Sequence, residues 1–437
     1  MKLRHAFFSF ASLLPLLAVG CAASAPEASD EATDDGFEYT SASARLLDME
    51  FDGEVLTAGG DPDQTIRDQM LFTIGQLNGR TGVGRLDKLV LSNIQSAPVD
   101  QSDLTRVTYH AKLPVSMAKA TRFGRSYTLI VPKRADWGGQ EAFYNKYSGG
   151  HGGGCTDWGA HDLETGIYWY YFRPEQSGCT LDAADIVKAR ASVRVSPENA
   201  SHKYPEYDKI WDDGALNVVA IFGKVEDGAQ TESDRGVWSH SHFVSTMRRE
   251  LPNAVVSPAT TPERPGIQVK DVTIESTLAN GKKVKLTSFL VDNVREGGAE
   301  FERRYNELSG NADVIVYNGH AGLGQNVRAL ARMGTFQPKK YQLIYMNGCD
   351  TFAYVDGYLA QTRALLNPDD PTGTKYMEIL TNSMPPNWDS LPNNTMSLVR
   401  DLMKLDAPVE YTEILSHFDQ SGFVTVTGDE DNVFRPR

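Results

Sequence analysis

The stretch Asp313–Asp350 constrains this chain more than any other. It reads Asp-Val-Ile-Val-Tyr-Asn-Gly-His from 313 to 320, then an amphipathic segment, then Tyr-Gln-Leu-Ile-Tyr-Met-Asn-Gly-Cys-Asp from 341 to 350. Val314–Tyr317 and Leu343–Met346 are short unbroken apolar runs, the pattern of strands buried on both faces. Between them Leu323, Val327 and Leu330 share one helical face, and Gly334 suits a helix cap. Strand, helix and strand in this length predict a βαβ unit with parallel strands.

Parallel strands end on the same edge of a sheet, the edge where open α/β sheets bind ligands. One end delivers His320 and the other Cys349, each directly after an Asn-Gly pair. A glycine there turns the chain sharply and lets the next side chain stand over the sheet edge. Neighbouring strands lie about 4.8 Å apart. A thiol and an imidazole on adjacent strand ends therefore face each other across a substrate, which is a nucleophile–base pair made by topology.

The rest of the chain fits around that unit. Its 437 residues suffice for two domains, and 41% hydrophobic content places it among globular proteins. A formal charge of −14 without any Lys/Arg-rich run argues against a nucleic-acid partner. From 205 to 437, Ala215–Phe222, Asn253–Val256, Tyr376–Thr381 and Gly422–Val426 read as strands. Phe243–Leu251, Ala299–Leu308, Val355–Leu366, Asn394–Leu405 and Tyr411–Phe418 read as helices, and Val269–Val294 as a hairpin about Asn280-Gly281. Alternating strands and helices predict an α/β domain with a mostly parallel sheet flanked by helices.

Residues 37–200 read as a smaller α+β domain, an accessory or pro-domain. Its expected strands are Leu46–Leu56, Leu86–Ile94, Leu104–Leu113, Ser126–Val131 and an aromatic one at Thr165–Phe172, with a helix at Gln64–Leu77. The glycine-rich run around His151 lacks the Gly-Lys-Ser/Thr ending of a phosphate loop.

The N-terminus reads as a targeting segment. Lys2 and Arg4 precede an apolar stretch, Phe7 to Val19, too short to span a bilayer. Leu17-Ala-Val-Gly-Cys21 resembles the bacterial lipobox, which implies a signal peptide over 1–20, lipidation of Cys21 and anchoring in the envelope, with Ala22 favouring the outer membrane. Residues 21–36, small and acidic, read as a flexible tether. In that oxidising compartment Cys155 and Cys179 can pair, a cross-link that stabilises by about 3 kcal/mol. Cys349 is left as the free thiol.

A hydrophobic strand ending in His, followed about thirty residues later by one ending in Cys, resembles the caspase–legumain–gingipain clan of cysteine peptidases. Order matters, because papain-like peptidases and class I glutaminases place Cys before His. The resemblance implies a caspase-like fold over roughly Ala215–Val426, no cofactor, and a peptide or protein substrate met by a monomer. It makes Cys349 the nucleophile, with a pKa below the free value, and His320 the proton carrier. The N–H of Cys349 and that of Ala321 or Gly322 would form the oxyanion hole, two being named because Ala321 stands where the clan usually has Gly. Asp350 and Asp356 would make an acidic pocket for a basic side chain, with Ser383 and Trp388 lining the groove; exposed or capping carboxylates and a packing Trp are the plain alternatives. Asp350 is expected to point away from the thiol or toward a substrate cation. Trp238-Ser-His240-Ser-His242 lacks a third ligand at metal spacing, so no metal is expected. A caspase-like surface lipoprotein that binds without turnover is the rival reading, and a transpeptidase or amidase shares the same chemistry.

Overall fold

The computed structural model describes residues 37–149, 154–161 and 163–436; the expected signal peptide, Cys21, the 21–36 tether and His151 lie outside them. The chain begins with a short strand, Tyr39–Ser41 (β1), and a long one, Ala44–Thr57 (β2). Helix Pro62–Asn78 (α1) follows, capped by Asp61, with Pro62 in the first turn, where a missing N–H leaves nothing unpaired. Next come strands Gly82–Gly84 (β3), Val90–Pro98 (β4), Thr105–Ala118 (β5) and Ser126–Pro132 (β6). Helix Trp137–Tyr147 (α2), the single turn Tyr168–Tyr171 (α3) and strand Ile186–Val195 (β7) complete this part. Strands β3, β5, β2, β7 and β6 form an antiparallel sheet in that order, with β4 also paired to β5.

The second part runs Tyr207–Ile210 (α4), Ala215–Gly223 (β8), Arg235–Glu250 (α5), Val255–Ser257 (β9), Asp271–Thr277 (β10) and Lys283–Val291 (β11). Gly298–Ser309 (α6), Val314–Asn318 (β12), Gln325–Arg332 (α7), Gln342–Asn347 (β13), Thr351–Tyr354 (α8) and Tyr358–Leu366 (α9) come next. Met377–Asn382 (β14), Leu391–Leu402 (α10), Tyr411–Ser416 (α11) and Val424–Thr427 (β15) end it.

These strands build a nine-stranded sheet ordered β1-β15-β14-β13-β12-β8-β11-β10-β9. Its five central strands, β14 to β11, are mutually parallel. The flanking strands are antiparallel, so the sheet is mixed and the fold α/β. Strand β1 precedes the antiparallel sheet in sequence yet closes an edge of the larger one against β15.

The centre of this sheet is apolar on both faces, as the unbroken runs require. Along β12, Ile315 and Tyr317 join one hydrophobic cluster while Val314 and Val316 join the other. The first cluster continues into the core of the antiparallel sheet through Leu47, Phe72 and Leu113. The second lies under α5, α10 and α11 through Phe243, Leu398 and Ile414.

Three local expectations fail for identifiable reasons. The aromatic run Thr165–Phe172 is not a strand; it curls into α3 because its carbonyls close around Gly75 of α1, where an added Cβ would lie 2.3 Å from Trp169 O. Residues 355–366 do not form one helix, since Gly357 takes a left-handed φ of 72° and divides α8 from α9. The segment at 86–94 is a 3-10 turn over Leu86–Lys88 followed by β4.

Candidate active site

The site grows from the ends of β12 and β13. Their parallel register pairs Asn318 with Asn347, so His320 and Cys349 each stand two residues beyond a matched position. Both asparagines are buried and point sideways along the sheet. The Asn347 Nδ2 group donates to Asn318 Oδ1 at 2.8 Å, and Asn382, closing β14, donates to Asn347 Oδ1 at 3.1 Å. A row of three amides thus ties the ends of three adjacent strands.

Beyond the row the two turns press backbone on backbone. A Cβ on Gly348 would lie 2.5 Å from Gly319 O and 3.2 Å from Ala321 N, so only glycine allows this approach. The Ala321 amide thus lies against Gly348, the residue before Cys349, whereas Gly322 is exposed.

His320 is half-buried and held from three directions. Tyr317 Oη and Asn326 Nδ2 donate to its carbonyl at 2.8 and 2.9 Å. The Trp388 ring packs against its imidazole, edge to face, with centroids 4.8 Å apart. Its Nε2 lies 3.1 Å from Val225 O. A carbonyl only accepts, so Nε2 carries the hydrogen and the neutral ring keeps its lone pair on Nδ1. Val225 is fixed in turn by Asp234, whose carboxylate accepts from the Val225 and Glu226 amides and caps α5 through those of Gly236 and Val237. The Val225 carbonyl is a third member of the constellation that sequence patterning missed, because a backbone group leaves no residue signature.

Cys349 is partly exposed as a residue, but its sulfur is crowded. Burial first, and the Asp350 carboxylate second, push the thiol up to about 12, opposed weakly by its own N–H. The expected depressed pKa is therefore not met in this resting arrangement. Asp350 neither points to solvent nor caps α8 with its side chain. It is 0% exposed, in a left-handed conformation with φ 51°, and Tyr170 Oη donates to its Oδ2 at 2.8 Å. Burial raises its carboxyl to about 7.

The other groove candidates are distributed differently. Trp388 touches His320. Asp356 is engaged by Arg332 at 2.7 Å. Ser383 is buried, and its hydroxyl meets that of Ser116 on β5 at 2.6 Å. Cys155 and Cys179 form a disulfide, which encloses α3. His240 and His242 lie on α5, not on an extended strand. His240 is buried against Ser288 and Val269 O, and burial lowers it to about 4, while His242 stacks on Trp238.

Among the described residues no group of three or more His, Cys, Asp and Glu side chains is placed to hold a metal ion, and no helix is long and apolar enough to cross a membrane. No protein-family model matches the chain, and no curated protein or solved structure matches it significantly.

Proposed function

We propose that this chain is a caspase-like cysteine peptidase of the bacterial envelope, lipid-anchored at Cys21, acting on peptide or protein substrates through Cys349 and His320. The observation that carries the reading is the register Asn318–Asn347, with the two following turns in backbone contact. It sets a histidine and a free thiol at equal height on the edge of a sheet whose central strands are parallel.

The chemistry follows from the resting protonation. Cys349 waits as a thiol, so the nucleophile forms as the sulfur attacks: the S–H proton passes to His320 Nδ1 while the S–C bond forms to the scissile carbonyl. In this reading the Cys349 and Ala321 N–H groups receive the oxyanion. His320 then gives its proton to the leaving amine as the C–N bond breaks. Water, deprotonated by His320, hydrolyses the thioester, and an amine in its place would make the enzyme a transferase.

The raised thiol and the enclosed Asp350 favour a second reading, a caspase-like binding protein without turnover. The deciding experiment treats the full chain with peptidyl electrophiles carrying Arg, Lys, Asn or Asp next to the warhead and maps adducts by mass spectrometry. Fast, side-chain-selective labelling of Cys349 that collapses in His320→Ala supports the peptidase. Slow, unselective labelling that is indifferent to His320→Ala leaves the binding protein.

A further inference from the structure

The Val225 carbonyl that accepts from His320 Nε2 belongs to a peptide unit held at its other end. The Glu226 N–H of that unit donates to Asp234 Oδ2 at 2.9 Å, and the Val225 N–H donates to the same oxygen at 3.0 Å. A trans peptide is planar, with its N–H and C=O pointing in opposite directions, and the 225–226 bond is trans. Fixing the Glu226 N–H on Asp234 therefore turns the Val225 C=O the other way, where His320 Nε2 lies at 3.1 Å. Glu226 itself is exposed, so its side chain does not anchor the turn in the interior.

Asp234 is a firm point to hold from. It is 9% exposed, and its Oδ1 accepts from the Gly236 and Val237 amides at 2.8 and 3.0 Å, opening α5. That helix start is pressed onto the end of β8: a Cβ on Gly236 would lie 2.1 Å from Gly223 O and 2.6 Å from Lys224 Cα. One carboxylate thus joins two amides of the turn to two of the helix through charge-assisted hydrogen bonds. Capping alone accounts for only half of this. Serine and threonine cap helices through a single oxygen, whereas spanning two segments takes both oxygens of a carboxylate. The neighbouring Arg235 pairs with Asp389, next to Trp388, at 3.2 Å, but both side chains are half exposed and such a pair holds little.

We propose that Asp234 is a positioning residue of the His320 site: it sets the 225–226 peptide plane, so that the Val225 carbonyl holds the imidazole by Nε2 and leaves Nδ1 for the proton of Cys349. The proposal rests on reading Cys349 and His320 as the reacting pair. A ring released from that carbonyl turns about its side-chain bonds, and a misplacement on the order of 1 Å costs about a hundredfold in rate.

The test compares the full chain as wild type and as Asp234→Ser, which keeps an oxygen for the α5 cap and has none for the turn. With isotope-labelled histidine, and His320→Ala for assignment, wild type is expected to show the His320 ring N–H resonance by NMR, and Asp234→Ser to lose it to exchange with water. Inactivation by the best peptidyl electrophile should slow about ten- to a hundredfold at saturation, with the half-saturating concentration unchanged. Iodoacetamide, which needs no imidazole, should label Cys349 as fast as in wild type. A ring resonance retained in Asp234→Ser, or unchanged inactivation at saturation, overturns the proposal. If near-UV circular dichroism shows that Asp234→Ser does not fold, hydrogen exchange in wild type decides: the 225 and 226 amides should be protected, and free exchange at both overturns it. Wild-type inactivation that is slow and indifferent to His320→Ala strikes the peptidase reading instead, and the ring resonance then decides the part of Asp234 alone.

Discussion

The Asn347 amide donates to Asn318 Oδ1 over 2.8 Å, joining the last residues of β12 and β13 directly behind the turns that carry Cys349 and His320. Thr395 also donates to Asn318 Oδ1 at 2.8 Å, and Tyr345 Oη to Asn347 Oδ1 at 3.0 Å, so the pair is the centre of a buried polar network. Such networks specify a geometry as well as stabilise it, because each member left unpaired in a low dielectric is costly. Asn347→Ala should lower unfolding stability by about 2 kcal/mol in denaturant titration. Labelling of Cys349 by the best peptidyl electrophile should fall at least tenfold, since the two turns lose their common footing. Lower stability with unchanged labelling would make the row structural alone.

A second prediction concerns pH. Glu378 on β14 is 0% exposed and accepts from Tyr341, Tyr411 and Asn432. Burial, then the charge of Asp429, raises its carboxyl to about 8, and burial raises Asp429 itself to about 7. The folded state therefore holds these protons where an unfolded carboxyl, with a model value of 4.5 for Glu378, has lost them. Their contribution is complete below the unfolded values and is lost as pH rises through the folded ones. The melting temperature should fall between about pH 5 and pH 8.5, and Glu378→Gln, which cannot ionise, should flatten that slope and melt higher than wild type at pH 8.5. A slope unaltered by Glu378→Gln would locate the dependence elsewhere.

Much of this site was legible because its parts are short-range patterns. The apolar runs at 314–317 and 343–346, each closed by Asn-Gly, specify buried strands and sharp exits, and β12 and β13 stand where those runs are. What lay beyond reach depends on contacts between distant segments. The Asn-Gly pairs signalled turns, while the sideways bonding of Asn318, Asn347 and Asn382 needed the strand order. Tyr170 carries no local signal at all. Its aromatic run has strand propensity, and the tertiary embrace of Gly75 overrides it. The low pKa was expected because a thiolate is the competent nucleophile, whereas burial first and the charge of the inward-facing Asp350 second act the other way.

Gly348 offers the most direct check on the geometry. A Cβ added to Gly348, directly before Cys349, would sit 2.5 Å from Gly319 O. Relief requires the histidine turn to retreat from the cysteine turn, and overpacking of this kind costs about 1–3 kcal/mol. Gly348→Ala should therefore lower stability by that amount. It should also slow Cys349 labelling by peptidyl electrophiles at least tenfold, because the distance between sulfur and imidazole grows with the gap between the turns. Iodoacetamide, which needs no imidazole, should label the variant as fast as wild type or faster. If Gly348→Ala keeps both its stability and its peptidyl labelling, the turns do not press together in solution, and the register of β12 and β13 alone has to carry the dyad.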